Sequence, residues 1–146
     1  PLVQTIRRLA PDTMIVETVL RPTPLQSVAG RRVFYVTTAP ETAGPTLVDH
    51  LETEHGATVT GTSHNLARRP QLAQDLERIG GADVVLVELK AAGVDVVARA
   101  ALQQGRDVVF CDNRVVTNGG DGTFEQLVQQ AATLAEKRFA RVSRVP

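Results

Sequence analysis

The sequence predicts an α/β fold, a Rossmann-like three-layer α/β/α domain around a four-stranded or slightly larger parallel sheet. Three observations carry this. Val84–Val87 is an unbroken apolar run followed by Leu89, bounded by Gly80-Gly81 and Ala91-Ala92-Gly93; such a run reads as a strand buried on both faces, which belongs to parallel sheets. Strand-like and helix-like stretches alternate at roughly 25-residue intervals, close to the length of a βαβ unit. The intervening stretches repeat their apolar residues at helical spacing. Right-handed crossovers then give a sheet covered on both faces. Counting four strands, the expected order is 2-1-3-4, with a switch point between the first and third.

Residues 1–30 read as a linker, or the tail of a preceding domain. Pro1–Ala10 is mixed and basic, and Met14–Leu20 alternates loosely enough for a strand. Arg21-Pro22-Thr23-Pro24-Leu25 is expected to break that strand, because proline fixes φ and lacks a donor. The domain proper is expected over 31–146. Val33–Val36 is its first strand, ending in Thr37-Thr38-Ala39-Pro40. A helix from Pro40 or Pro45 to His55 follows, with Leu47, Val48 and Leu51 on one face and Gly56 as its stop. Ala57–Thr62 is the second strand, ending in Ser63-His64-Asn65. Pro70–Ile79 is helical, with proline in its first turn. Asp83–Lys90 is the central strand, and Val94–Gln104 the next helix, stopped by Gly105. Asp107–Cys111 is the fourth strand, ending in Asp112-Asn113-Arg114. Thr117–Thr123 is a glycine-rich loop, and Phe124–Phe139 the last helix, with Leu127, Val128, Ala131, Leu134 and Ala135 facing inward.

Composition narrows the function classes. The 146 residues fit one domain. Lys+Arg and Asp+Glu balance at 16 each, which gives no support for nucleic-acid or membrane-surface binding. No apolar stretch approaches the roughly 20 residues that cross a bilayer, and no secretory signal opens the chain. The single cysteine, Cys111, excludes an internal disulfide and a cysteine-rich zinc site. A cytoplasmic setting is expected. The chain opens on Pro1 and its one methionine is Met14, so a segment of a longer protein is also expected.

The strand ends are polar: Thr37-Thr38, Ser63-His64-Asn65, Glu88-Leu89-Lys90 and Asp112-Asn113-Arg114. The opposite loops are short and glycine-marked. A site is therefore expected at the carboxyl edge, where loop amides and helix N-termini favour anions. The simpler alternative is that these Ser, Asn and Asp residues cap helices. The candidate phosphate- or substrate-binding residues are Thr37, Thr38, Ser63, His64, Asn65, Arg68, Glu88, Lys90, Asp112, Asn113 and Arg114, with Arg69 beside Arg68. His50 and His55, with Asp49, Glu52 and Glu54 nearby, resemble a metal cluster only superficially, and no metal site is expected. Cys111 reads as a core residue rather than a nucleophile. Asn118-Gly119-Gly120-Asp121-Gly122 is flexible enough to approach a phosphate, but the simpler reading is a turn capped by Asp121 or Thr123. No P-loop, His-Glu-x-x-His or Gly-x-Ser-x-Gly motif occurs.

At Arg21–Leu25, Gly30–Val33, Thr37–Pro40, Glu88–Ala92 and Val109–Arg114 the sequence resembles the C-terminal part of the cyclic 2,3-diphosphoglycerate synthetase family. The likeness runs from about Met14 to Phe139, and its strings form no catalytic signature. It implies a longer intracellular ligase that uses ATP and magnesium to close 2,3-diphosphoglycerate into a cyclic phosphoanhydride. It further implies that ATP and magnesium bind mainly outside this segment, in a preceding P-loop-type domain of the same chain, and that the substrate is small and phosphorylated. Assembly into a homo-oligomer is expected, and no catalytic residue can be assigned. Forming the anhydride requires cations and amides around crowded negative charge. Lys90, Arg114 and Arg68 or Arg69 suit that task, with Glu88 or Asp112 orienting them or helping to hold magnesium. The competing reading is a non-catalytic packing or dimerisation module.

Overall fold

A computed structural model describes residues 2–89 and 91–142. The chain divides into two compact units, one of Arg21–Arg114 and one of Pro1–Leu20 with Val115–Pro146. Along the chain run α1 (Leu2–Leu9), β1 (Val16–Pro24), β2 (Arg32–Val36), α2 (Gly44–His55), β3 (Thr58–Ser63), α3 (Arg69–Leu76), β4 (Val84–Glu88), α4 (Val94–Gln103), β5 (Asp107–Gly120) and α5 (Phe124–Val142). A short 3-10 turn, Glu41–Ala43, leads into α2.

The sheet order is β1-β5-β4-β2-β3. β2 runs parallel to both β3 and β4, and β4 runs parallel to β5. These four strands lie in the order expected of them. All five residues of β4 are buried, as an unbroken apolar run at the middle of a covered sheet requires. On one face Phe34, Val36, Val85 and Val87 pack with Leu72 and Leu76 of α3 and Val97 and Ala101 of α4. On the other, Val33, Tyr35, Val84 and Leu86 pack with Leu47 and Leu51 of α2, and with Val28. Gly56 closes α2 at φ +63, the left-handed cap expected there.

The sheet departs from the sequence reading at its fifth strand. β1 pairs with β5 in the opposite sense: the Leu25 N–H donates to the Phe110 carbonyl at 2.8 Å, and the Asp121 N–H to that of Ile15 at 2.8 Å. The parallel sheet therefore gains one antiparallel pair. The prolines do not break β1, which continues through Pro24. An edge strand bonds on one side only, and Leu25 fixes the alternation that turns Thr23 and Arg21 toward β5. Pro22 and Pro24 then face outward, where no ladder donor is missing. The same pairing carries β5 past Cys111, so Asp112-Asn113-Arg114 lies inside a strand rather than in a loop after one. Residues 117–120 of the expected loop are strand as well. In that unit Gly120 has φ +102, and a Cβ there would lie 2.3 Å from the Ile15 carbonyl oxygen, so glycine is required by both conformation and space.

Helix α5 forms where expected, but its apolar face is not buried. Val128 is 50% exposed, Leu134 48% and Phe139 75%. Its start follows a capping box: the Thr123 hydroxyl accepts from the Gln126 N–H at 3.2 Å, and the Gln126 side chain accepts from the Thr123 N–H at 2.9 Å. Asp121 instead binds the Ile15 N–H at 2.8 Å and pairs with Arg7. The Arg7 guanidinium, first, and the Ile15 N–H hold the Asp121 carboxyl below its usual range. No described helix is long and apolar enough to cross a membrane.

Candidate site at the carboxyl edge of the parallel sheet

The crossover through α2 covers one face of the sheet, and those through α3 and α4 cover the other. The switch point therefore lies between the carboxyl ends of β2 and β4, where open α/β sheets hold ligands. Glu88 stands at that point. It is the last residue of β4 and 6% exposed. Its Oε2 accepts from the Thr38 N–H at 2.7 Å, the Thr38 hydroxyl at 2.7 Å and the Thr37 hydroxyl at 3.2 Å. Its Oε1 accepts from the Asn113 amide. Register explains the meeting: Glu88 pairs with Cys111 across the ladder, and strand alternation turns Asn113 onto the same face two residues on. A buried carboxylate needs such donors. Glu88 is therefore a brace that ties the loop after β2 to β5. Four protein donors already meet this carboxylate, three of them on Oε2, which gives it a bracing role in this arrangement. Among the described residues, no cluster of three or more acidic, His or Cys side chains suits a metal ion.

A second brace holds the end of β3. Asp75 of α3 accepts from the Ser63 hydroxyl at 2.7 Å and the Asn65 amide at 2.8 Å. Asp75 was missed from sequence, yet it lies between Leu72 and Leu76, which are buried; that helical spacing marks it as inward-facing. The His64 ring lies between these braces. Its Nδ1–H donates to the Ala39 carbonyl at 2.9 Å, which leaves Nε2 as the free ring nitrogen. Nε2 lies at the start of α2, where a Cβ on Gly44 would come within 3.1 Å of it.

The strand-end residues do not cap the helices that follow. α2, α3 and α4 all begin at this edge, and none has a side-chain hydrogen bond at its N-cap, occupied by Ala43, Arg68 and Gly93 respectively. The N-cap side chains thus leave these helix starts alone, although backbone carbonyls meet some of the amides there (Glu41 at Gly44, Ala91 at Val94, Gly93 at Val96) and the Asp95 carboxylate sits on the first turn of α4.

The cations separate into two groups. Arg69 is engaged, with Asp95 at 2.9 Å and the Ala92 carbonyl at 2.7 Å; this contact holds the Asp95 carboxyl below its usual range. Arg68 and Arg114 are exposed, and neither forms an ion pair among the described residues. Asp112 accepts from the Asn113 N–H at 3.0 Å. On β5, alternation sends Asp112 and Arg114 to the face opposite Asn113, a consequence of the strand continuing through them. Lys90 lies outside the described residues.

Beneath Glu88, Cys111 is fully buried. Burial, then the Glu88 carboxylate, push its thiol up to about 12; it is a core residue, as expected. Burial likewise raises the Tyr35 hydroxyl. The His50 and His55 rings meet edge to face at 5.3 Å.

Comparison with known proteins now decides the family. A family model described as the cyclic 2,3-diphosphoglycerate synthetase C-terminal domain matches residues 24–114. The chain belongs to this family. The match nearly coincides with the compact unit of Arg21–Arg114, so the family core is the parallel sheet with its carboxyl edge. The cyclic 2,3-diphosphoglycerate synthetase of Rubrobacter xylanophilus is 44% identical over 89% of this chain and 29% of its own length. That of Methanothermobacter thermautotrophicus is 40% identical over 95% of this chain and 30% of its own. That of Thermococcus onnurineus is 46% identical over 79% of this chain and 26% of its own. The chain thus spans under a third of the length of these relatives.

Proposed function

We infer that this chain is the C-terminal part of a longer ligase that closes 2,3-diphosphoglycerate into its cyclic anhydride. Within that ligase, the carboxyl edge holds phosphate groups of the substrate. One observation carries the reading: three helices start at this edge and none takes a side-chain hydrogen bond from its N-cap residue. Uncapped amides and positive helix ends suit phosphate oxygens. Arg68, Arg114 and Lys90 add donors and charge. The Glu88 and Asp75 braces fix the loops from which the amides point, so the groups need little reorganisation as charge builds. ATP and magnesium are assigned to the remainder of the ligase, because this chain carries no P-loop and Glu88 is taken up in bracing the edge. The isolated chain is accordingly expected not to hydrolyse ATP.

The exposed apolar face of α5 favours a second reading, in which the domain packs rather than binds substrate. Charge reversal separates the two. In the full-length ligase, Lys90→Glu and Arg114→Glu should raise KM for 2,3-diphosphoglycerate at least about tenfold, the loss of one good ionic contact. Melting temperature should not change. Normal KM and turnover in both variants would remove the substrate from this edge and leave the packing reading.

A further inference from the structure

Helix α5 places Leu127, Val128, Ala131, Leu134, Ala135 and Phe139 within one half of its circumference, the pattern of a helix that packs along one side. Yet no residue from Val128 to Arg141 is buried. An apolar stripe of this length in water marks an interaction surface. Two further facts indicate what covers it. The chain corresponds to about 30% of the relatives' length and to their C-terminal domain, so most of such a polypeptide precedes this region. In addition, α1 belongs to the same compact unit as α5, and Arg7 of α1 pairs with Asp121, just ahead of α5. Polypeptide leading into α1 therefore arrives within the unit that displays the stripe.

We propose that the apolar stripe of α5 is the docking face for the preceding part of the same polypeptide. This rests on the reading of the chain as part of a longer synthetase. The stripe ends among Lys137, Arg138 and Arg141, all exposed. The surface that meets it is therefore apolar along its length and acidic at the end that receives these cations.

Hydrogen–deuterium exchange on the full-length polypeptide tests this. Amides of residues 128–139 should exchange at least tenfold more slowly in the unaltered protein than in Leu134→Asp. Thr133→Asp, on the polar side of the helix, should leave the protection intact. The protection should also survive hundredfold dilution. If α5 exchanges equally fast in the unaltered protein and in Leu134→Asp, nothing covers the stripe and the proposal falls. If protection vanishes on dilution, a second copy covers it and the proposal falls too. Turnover of 2,3-diphosphoglycerate is read on the same samples. A protected α5 in a polypeptide that makes no cyclic product would overturn the functional reading and leave the docking face standing.

Discussion

Removing the Glu88 carboxylate tests the brace at the switch point most directly. Glu88→Ala leaves the Thr37 hydroxyl and the Thr38 N–H without their acceptor, one buried and one half-buried. An unsatisfied buried donor costs about 1–3 kcal/mol, which the Thr37 hydroxyl bears in full and the half-buried Thr38 N–H in part. The Thr38 and Asn113 side chains can turn to other partners, which draws the expected loss toward about 3 kcal/mol. For a chain of this length about 1 kcal/mol moves the melting temperature by about 2–4 °C, giving a fall of about 6–12 °C. Glu88→Gln is the control. Its amide oxygen can still accept from both threonines, but its NH2 meets the Asn113 NH2, donor against donor. It should cost about 1 kcal/mol, the net worth of one hydrogen bond. Thermal unfolding followed by circular dichroism reads both. A Glu88→Ala variant melting within about 1 °C of the unaltered chain, when the argument demands several, would show that the hydrogen bonds to Glu88 do not brace this edge. A Glu88→Gln variant as unstable as Glu88→Ala would show that the charge itself, rather than the acceptor geometry, holds the loop.

Three further outcomes follow from the packing and the charges. Val85→Asp puts an unpaired carboxylate at a fully buried site in β4 and should prevent folding, since such losses reach about 3–5 kcal/mol or more; a soluble, cooperatively melting variant would contradict the central placement of β4. Gly93→Ala brings a Cβ to 2.2 Å from the Leu66 carbonyl oxygen, so the start of α4 must move away from the loop after β3; an overpacking cost of about 1–3 kcal/mol is expected in urea unfolding, and an unchanged midpoint would rule out the close approach. Hydrogen bonds from the Arg32 guanidinium, first, and the Arg32 N–H hold Asp83 at about 2, below its ordinary 3.8. A depressed carboxyl contributes stability above its unfolded value and loses it as pH falls toward the folded one. The difference in urea midpoint between the unaltered chain and Asp83→Asn should therefore be present at pH 5 and shrink between about pH 4 and pH 2; a constant difference across that window would refute the pairing.

What the sequence conveys about this fold depends on how local each cause is. Val84–Val87 announces β4 because burial on both faces leaves its mark on every residue of the run. The prolines of β1 mislead because their tolerance depends on β1 being an edge, and that is decided by β5, which lies more than eighty residues further along. The true length of β5 is hidden for the same reason: nothing in Asp112-Asn113-Arg114 declares a partner strand from the other end of the chain. At the site, polarity at the strand ends was legible, but the roles were not. Ser63 and Asn65 are candidates for ligands or caps, and Glu88 for a ligand; the structure makes them parts of two internal braces. That exchange of roles gives the edge its chemistry. Had those side chains capped α2, α3 and α4, the helix ends would already be satisfied and a phosphate would have to displace them. Because their hydrogen bonds run to Asp75, Thr37, Thr38 and Asn113 instead, the loops are braced and no strand-end side chain occupies a helix start. Braced loops beside positive helix ends cost little ordering when an anion arrives, which is the property the proposed phosphate site needs.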